Sequence, residues 1–293
     1  MKRRRSALDV GSNTIRLLVA DVDGNDIAPV VDDSEFVRLG LDVDATGRLR
    51  DDRQDAALAA IHRLAARAAE AGAPDTVAIA TSAVRDAING EAFAERVRRE
   101  TGINLQIISG EREASLTYRG ATSGVAVGGG VIVCDIGGGS AEIVHGDESG
   151  IRWSSSLPLG SGRLSERFVH HDPPAVDEID ALKDFVRVQL AALPAADTAT
   201  LIFTGGTATH VALLAGEEGP TATISIRAVG EVATEVDTVA AAQIVEKFGI
   251  RPERARVLPA GVATLQTVAG QYGAPEIVIS RRGIREGALL DST

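Results

Sequence analysis

Two segments of the chain share one pattern of apolar, acidic and small residues. In the first, an apolar run reaches Asp9, a turn of small residues follows over 11–14, and an apolar stretch fills 15–20. In the second, an apolar run reaches Asp135, and the small-residue turn at 137–140 leads into another apolar stretch. Each segment reads as a strand, a tight turn and a second strand, which predicts a β-hairpin. Two matching hairpins predict two similar lobes.

Elsewhere the apolar spacing alternates between the period of helices and that of strands. Helices are predicted over 52–71, 91–100, 174–193, 207–215, 239–248, 260–269 and 284–290. Strands are predicted over 76–80, 103–108, 201–203 and 276–279. This alternation indicates an α/β fold, and the hairpins make the sheets mixed.

Small residues cluster near the middle of the chain, at Ser123, Gly124 and 128–130. We interpret this cluster as a hinge between an N-terminal domain (1–122) and a C-terminal domain (123–293). A flexible surface turn is the other interpretation of the same glycines.

Composition narrows the possible partners. The 293 residues carry 41 acidic and 30 Lys or Arg side chains, a formal net charge of −11, and only 3% aromatic residues. This balance argues against nucleic acid as a partner, because polyanion binding needs basic surface and base stacking needs aromatic rings. We expect no membrane segment, and no secretory signal because Asp9 and Gly11 interrupt the run after the basic cluster 1–5. The single cysteine, Cys134, excludes an internal disulfide and fits a cytoplasmic location.

The two small-residue turns are candidate phosphate sites. Successive backbone N–H groups in such turns can form an anion-binding nest. One turn alone is better explained by the needs of a hairpin, but a pair, each beside an aspartate at matching offset, is more specific. An aspartate beside a phosphate nest is consistent with Mg²⁺ between the two anions. The predicted phosphate-binding residues are Gly11, Ser12, Asn13, Gly137, Gly138, Gly139 and Ser140, and the predicted metal ligands are Asp9, Asp135 and Glu142.

Six segments together resemble the exopolyphosphatase / guanosine pentaphosphate phosphohydrolase (Ppx/GppA) family. They are ALDVGSNTIRL at 7–17, ATSAVRDAIN at 80–89, ISGEREA at 108–114, DIGGGSAE at 135–142, TGGT at 204–207 and REG at 285–287. The resemblance covers essentially the whole chain in the family's order. It implies the actin-like ATPase (ASKHA) fold, with two ribonuclease-H-like lobes and mixed sheets flanking an interdomain cleft.

The resemblance also implies catalytic roles. Glu113 matches the family's glutamate that prepares the attacking water, and Arg85 matches its phosphate-contacting arginine. Arg38 matches a further family pattern and is expected to reach the cleft. Taken without the motifs, Glu113 and Arg85 would read as solvated surface residues.

Three features depart from the family pattern. Arg112 replaces the first glutamate of the usual pair, and Arg282 precedes Gly283 where an acidic residue is common. The helical extensions of longer members are absent, from which we expect short polyphosphate chains as substrates.

The resulting hypothesis is an exopolyphosphatase that uses Mg²⁺ or Mn²⁺ to release terminal orthophosphate from inorganic polyphosphate. Hydrolysis of guanosine pentaphosphate, a non-catalytic polyphosphate or alarmone sensor, and a sugar kinase or ATPase of the same superfold stay open as alternatives. The family also suggests a homodimer.

Overall fold

The structure, a computed structural model, describes residues 3–73, 75–197 and 200–291. The first two residues of the basic cluster 1–5 and the last two of the predicted C-terminal domain lie outside these ranges. The described residues divide into two units, the first from Met1–Ser123 together with Gly283–Thr293 and the second from Gly124–Arg282. Within the described ranges, no helix combines the length and apolar character needed to cross a membrane.

The first unit contains one five-stranded mixed sheet in the order β3-β2-β1-β4-β5. Strands β1 and β2 form the predicted hairpin, β3 continues antiparallel to β2, and β4 and β5 run parallel to β1. The strands are β1 (Arg3–Val10), β2 (Thr14–Asp23), β3 (Asp26–Phe36), β4 (Thr76–Ala80) and β5 (Leu105–Ile107). The helices are α1 (Val43–Thr46), α2 (Asp51–Glu70), α3 (Ser82–Asp86), α4 (Gly90–Thr101) and α5 (Gly110–Thr122), with the last helix of the chain, α12 (Ile284–Asp291).

Both faces of this sheet are covered, which explains the unbroken apolar run at 15–20. Side chains of a strand alternate between the two faces, so Ile15, Leu17 and Val19 join the core beneath α2 and α4. Leu18 and Ala20 join the opposite core, which includes residues of α5 and α12.

The second unit repeats the order of the first. Its six-stranded sheet has the order β10-β11-β9-β6-β7-β8, in which β6–β7–β8 are antiparallel and β9 and β11 run parallel to β6. The added strand β10 pairs antiparallel with β11 at the edge. The strands are β6 (Val131–Ile136), β7 (Ala141–Asp147), β8 (Gly150–Leu157), β9 (Thr200–Thr204), β10 (Thr221–Ser225) and β11 (Glu276–Ser280). The helices are α6 (Ser161–Phe168), α7 (Val176–Leu190), α8 (Gly205–Leu214), α9 (Ile226–Thr238), α10 (Ala241–Phe248) and α11 (Pro252–Gln271).

The last helix belongs to the first unit, whereas the sequence analysis assigned it to the C-terminal domain. Its apolar residues, including Ile284 and Leu289, share a core with Leu116 of α5 and Leu18 of β2. Two glycines allow this packing: a Cβ at Gly287 would lie 1.9 Å from the Leu116 carbonyl oxygen, and one at Gly120 would lie 1.8 Å from that of Gly283. Chain order alone gave no sign of this return.

The mixed α/β fold and both hairpins are confirmed, while several boundaries differ. Helix α11 begins at Pro252 and contains Pro259, where the prediction began only after that proline because proline usually interrupts a helix. The helix predicted over 239–248 begins two residues later, at Ala241, and ends at Phe248 as predicted. The helices α1, α3, α5, α6 and α9 and the strands β3, β8 and β10 were not predicted from the sequence.

Candidate active site

In the first unit, the carboxyl ends of three parallel strands lie at one edge of the sheet. The turn at 11–13 follows β1, helix α3 follows β4, and helix α5 begins shortly after β5. Ligands of open α/β sheets bind at this edge. The Ser12 and Ser82 hydroxyl oxygens lie 2.9 Å apart in a hydrogen bond, which joins the first turn to α3.

The first turn has its carbonyl groups fixed by the segment that follows β3. The Gly40 N–H donates to the Ser12 carbonyl at 2.8 Å, and the N–H groups of Val37 and Arg38 donate to the Asn13 carbonyl at 2.9 and 3.0 Å. In a trans peptide the C=O and N–H groups point in opposite directions, so the Asn13 N–H is directed away from Gly40. The Asn13 side-chain nitrogen Nδ2 is buried and has no hydrogen-bond partner among the described residues. Both groups are therefore suited to an acceptor such as a phosphate oxygen.

The second turn repeats this arrangement. The N–H of its first residue donates to the carbonyl of its fourth in both turns, from Gly11 to Thr14 at 3.2 Å and from Gly137 to Ser140 at 2.9 Å. N–H groups at the start of α6 donate hydrogen bonds to the carbonyls of the second turn, just as N–H groups of the segment after β3 do for the first turn. The turn predicted to bind phosphate in each unit thus has the same backbone geometry.

Two carboxylates face the same side of the second hairpin. Asp135 and Glu142 are directly opposite in the antiparallel pairing of β6 and β7, and residues so placed have their side chains on one face. Glu142 is 2% exposed, and its Oε1 accepts a hydrogen bond from Ser156 at 2.7 Å. Mg²⁺ is commonly bound through one or two carboxylates with waters completing its coordination. This pair of carboxylates fits such a cation.

Gly205 provides the space that Asp135 uses. It has a left-handed backbone (φ +82°), and a Cβ there would lie 2.1 Å from Oδ1 of Asp135. Thr204, the residue before it, is paired with Asp135 in the sheet. The first glycine of the TGGT segment is therefore explained by the close approach of the Asp135 carboxylate.

The first hairpin differs in charge at the matching position. Asp9 is paired across the strands with Arg16 rather than with a second carboxylate. Burial raises the pKa of the Asp9 carboxyl, and the positive charges of Arg16 and Arg285 only partly offset this effect. Arg285 is itself buried and donates to the Leu17 carbonyl at 3.0 Å and to Asp32 at 2.6 Å. The nearby Glu286 also raises this pKa, but two arginines lie beside Asp9, so this position resembles a metal site less than Asp135 and Glu142 do.

Arg85 and Glu113 form an ion pair at the same edge as the first turn. Nη1 of Arg85 lies 2.7 Å from Oε2 of Glu113 and also donates to the Ile108 carbonyl at 3.2 Å. Glu113 lies in the first turn of α5, whose N-cap Ser109 accepts a hydrogen bond from the Arg112 N–H. Only 6% of Glu113 is exposed, so it is not the solvated surface residue that spacing alone suggested. The structure thus brings together the two predicted catalytic side chains.

The two arginines that depart from the family pattern each make contacts within their own unit. The Arg112 guanidinium pairs with Asp291 of α12, and Arg119 of α5 reaches the same carboxylate at 3.3 Å. The Arg282 carbonyl accepts a hydrogen bond from Thr204 at 2.7 Å. Arg112 therefore links α5 to the last helix.

The predicted site residues fall into two groups, one in each unit. The first unit contains Asp9, Gly11, Ser12, Asn13, Arg85 and Glu113, and the second contains Asp135, Gly137, Gly138, Gly139, Ser140 and Glu142. That Asp9 and Asp135 line one cleft stays a prediction. Ser82 and Ser156 were not among the predicted site residues. Ser82 lies within the segment at 80–89, but the sequence does not show that its hydroxyl contacts Ser12, and Ser156 lies in a strand that was not predicted.

The strand order and the two anchored turns define a class of proteins, those with paired ribonuclease-H-like units of the actin-like ATPase fold. Within this class, the chain belongs to the Ppx/GppA phosphatase family, whose family model matches residues 18–293. The resemblance seen in the sequence motifs is thereby confirmed.

Relatives and solved structures agree with this assignment. Exopolyphosphatase 1 of Mycobacterium tuberculosis is 31% identical over 300 residues, which cover 98% of this chain and 87% of that protein. Exopolyphosphatase 2 of the same organism is 31% identical over 307 residues, covering 98% and 93%. A crystal structure of the Aquifex aeolicus Ppx/GppA family member has a TM-score of 0.83 and 27% identity, covering 100% of this chain and 98% of that one.

An exopolyphosphatase structure from Cytophaga hutchinsonii supports the fold alone, with a TM-score of 0.90, 23% identity and 99% coverage of each chain. The family and its structures make this chain an enzyme, a hydrolase of phosphoanhydride bonds.

Proposed function

We propose that the protein is an exopolyphosphatase that releases the terminal orthophosphate of inorganic polyphosphate, with short chains as preferred substrates. The observation that carries the proposal is the buried Arg85–Glu113 pair at the sheet edge that also bears the first turn. Two relatives named exopolyphosphatase, each 31% identical over 98% of this chain, support polyphosphate as the substrate class.

Glu113 acts as the general base. A water molecule attacks the terminal phosphorus in line with the bridging oxygen, and Glu113 takes its proton as the new P–O bond forms. The bridging P–O bond breaks, and its electron pair leaves with the shortened chain. The products are orthophosphate and a polyphosphate with one fewer phosphoryl group.

The guanidinium of Arg85 exchanges its contact with Glu113 for a contact with the substrate phosphate. The Arg85 guanidinium donates to the Glu113 carboxylate at 2.7 Å. A terminal phosphate offers several acceptor oxygens to the same forked donor, which frees the carboxylate for the water. Arrival of substrate thus prepares the base at the moment when it is needed.

Backbone donors and a cation supply the remaining stabilisation. The N–H groups of the two turns bind phosphate oxygens, and such positioning and electrostatic contacts dominate phosphoryl transfer. Asp135 and Glu142 would hold Mg²⁺ or Mn²⁺, which when bound neutralises negative charge on the phosphate oxygens. A homodimer and a cytoplasmic location complete the proposal.

Glu113→Gln tests this mechanism directly. Loss of the base lowers turnover of polyphosphate by about 10²–10⁴-fold, because the amide accepts no proton while it still fills the same space. The measurement is orthophosphate release at fixed Mg²⁺. The matched control is Glu111→Gln, an exposed glutamate in the same helical turn, which we expect to retain wild-type turnover. Equal rates for wild type and Glu113→Gln would remove Glu113 from the mechanism.

A further inference from the structure

Helix α6 fixes three successive peptide groups of the second turn. The Gly137 carbonyl accepts from the Ser161 N–H at 2.8 Å, and the Gly138 carbonyl accepts from Gly162 at 2.9 Å. The third carbonyl, that of Gly139, accepts from the side chain of Arg163 through Nε at 2.8 Å. The approach is close, because a Cβ at Gly160 would lie 2.4 Å from backbone atoms of Gly138 and Gly139.

These contacts set the direction of the N–H groups. Each carbonyl directed at α6 places the N–H of the same peptide on the opposite side, so those of Gly138, Gly139 and Ser140 face away from the helix. Glycine peptides rotate easily because glycine has no Cβ. A reversed peptide would present a carbonyl oxygen to a bound anion instead of an N–H, so the nest requires each carbonyl to be held.

The third peptide differs from the first two in how it is held. Backbone N–H groups of α6 hold the carbonyls of Gly137 and Gly138. Over the residues that the structure describes, Arg163 Nε is the donor to the Gly139 carbonyl. In the first turn, by contrast, backbone N–H groups hold the carbonyls of Ser12 and Asn13. A side chain therefore holds the Gly139 carbonyl, whereas backbone groups hold the matching carbonyl of Asn13.

We propose that Arg163 is a positioning residue that holds the Gly139–Ser140 peptide so that its N–H donates to a phosphate oxygen of the substrate. Arg163 acts through the backbone and not by contact with phosphate. The inference rests on the proposed function, since it takes the second turn as a phosphate site. Arg163 has no place in any of the motifs by which the family was first identified.

The test is the affinity for inorganic orthophosphate at constant Mg²⁺, followed by the amide NMR signals of ¹⁵N-labelled protein. Arg163→Gln removes the planar charged donor. We expect the dissociation constant to rise about tenfold, as for the loss of a charge-assisted hydrogen bond. The amide signals of Gly139 and Ser140 should also shift in the phosphate-free variant. An unchanged dissociation constant would refute the proposal.

Two further variants separate orientation from charge and from stability. Arg163→Lys keeps the charge without the planar Nε donor, so we expect it to bind as weakly as Arg163→Gln. Restoration of wild-type affinity by lysine would overturn the proposal in favour of simple attraction, and this variant decides alone if Arg163→Gln does not fold. The control is Arg167→Gln on the same helix, whose guanidinium stacks 4.3 Å from the Phe185 ring centre. It should lower the melting temperature and leave phosphate affinity unchanged.

Binding and turnover measurements distinguish failure of the Arg163 role from failure of the proposed function. If wild type binds orthophosphate and Arg163→Gln weakens it, while polyphosphate is not hydrolysed, the proposed function fails and the role of Arg163 stands. If polyphosphate is hydrolysed normally and Arg163→Gln binds orthophosphate like wild type, only the role of Arg163 fails. Absence of orthophosphate binding by wild type would overturn the inference as well.

Discussion

At the scale of single residues, the site depends on glycines that leave room for other groups. Gly205 lies beside the Asp135 carboxylate, and Gly160 lies against the backbone of the second turn. The motif at 204–207 includes Gly205 but does not show what it contacts, and Gly160 lies outside every motif. That information comes from the pairing of β6 with β9, because it brings TGGT next to Asp135.

Gly205→Ala should damage the metal site more than the fold. The new Cβ would lie 2.1 Å from Oδ1 of Asp135, so the carboxylate must move, and φ +82° is unfavourable for alanine. We expect a rise in the Mg²⁺ concentration needed for half-maximal activity, with a loss of roughly 1–2 kcal/mol of stability from backbone strain. Mg²⁺ titration of phosphate release and thermal unfolding measure the two effects. An unchanged Mg²⁺ requirement would contradict the assignment of Asp135 as a ligand.

The buried carboxyl of Asp237 on α9 is expected to make the stability of the protein depend on pH. Its Oδ1 is buried without a partner among the described residues, and burial raises its pKa to about 6, partly offset by Lys183. Because the folded-state pKa exceeds the ordinary value, the folded protein keeps a proton that the unfolded chain releases. Stability from this group is therefore full below about pH 4 and is lost as the pH rises through about 6.

Asp237→Asn should remove this dependence. At pH 8 the variant should be more stable than wild type by about 1 kcal/mol, a value reduced because the side chain is only partly buried. At pH 4 the two proteins should unfold at the same urea concentration. Asp180→Asn, an exposed carboxylate on α7, serves as the control. If Asp237→Asn were more stable than wild type by the same amount at pH 4 and pH 8, ionisation of Asp237 would not be the cause of the difference.

At the scale of elements, the hairpins were predictable and their surroundings were not. The apolar strands, the acidic residue and the small-residue turn are local features, and the structure places them as predicted. The contacts that hold the turns come from distant segments, 37–40 and 160–163. Strand β3 was missed because it is rich in acidic residues and half exposed along its length. Strand β8 was missed because it contains a run of three serines and no fully buried residue. Local pattern therefore located the two turns but not the segments that support them.

The packing of α12 on α5 gives a prediction at this scale. Gly287→Ala places a Cβ 1.9 Å from the Leu116 carbonyl oxygen, and the backbone can relieve this overlap only by separating the helices. We expect a loss of about 1–3 kcal/mol, as for an overpacked core. The control is Gly230→Ala in α9, where a Cβ meets nothing within 4 Å. Alanine there should stabilise the helix by about 0.5–1 kcal/mol. Urea unfolding distinguishes the two, and equal stability of Gly287→Ala and wild type would contradict the packing.

At the scale of the whole molecule, one strand order occurs twice. Both units have an antiparallel hairpin with a third strand on one side and parallel strands on the other. The repeated sequence pattern predicted this duplication. The difference between the copies lies in charge, since Asp9 is opposite Arg16 whereas Asp135 is opposite Glu142. We therefore propose that a cation would bind at the second hairpin, and we expect the first to act mainly through its N–H groups and Arg85.

The domain assignment shows where sequence order misleads. The predicted domain boundary, between residues 122 and 123, is one residue from the observed division after Ser123. The prediction nevertheless placed the residues from Gly283 onward in the C-terminal domain, whereas they belong to the first unit. Their apolar side chains complete a core that α5 and β2 leave open. Periodicity predicts that a helix forms but not which sheet face it covers, because several faces accept the same apolar stripe.

The central claim is tested most directly by orthophosphate release from tripolyphosphate, long-chain polyphosphate, guanosine pentaphosphate and ATP, each with Mg²⁺ and with excess chelator. We predict release from polyphosphate that requires the cation and is fastest with the short chain. Faster hydrolysis of guanosine pentaphosphate would transfer the same mechanism to that nucleotide. No release from either polyphosphate in the presence of Mg²⁺ or Mn²⁺ would contradict the account.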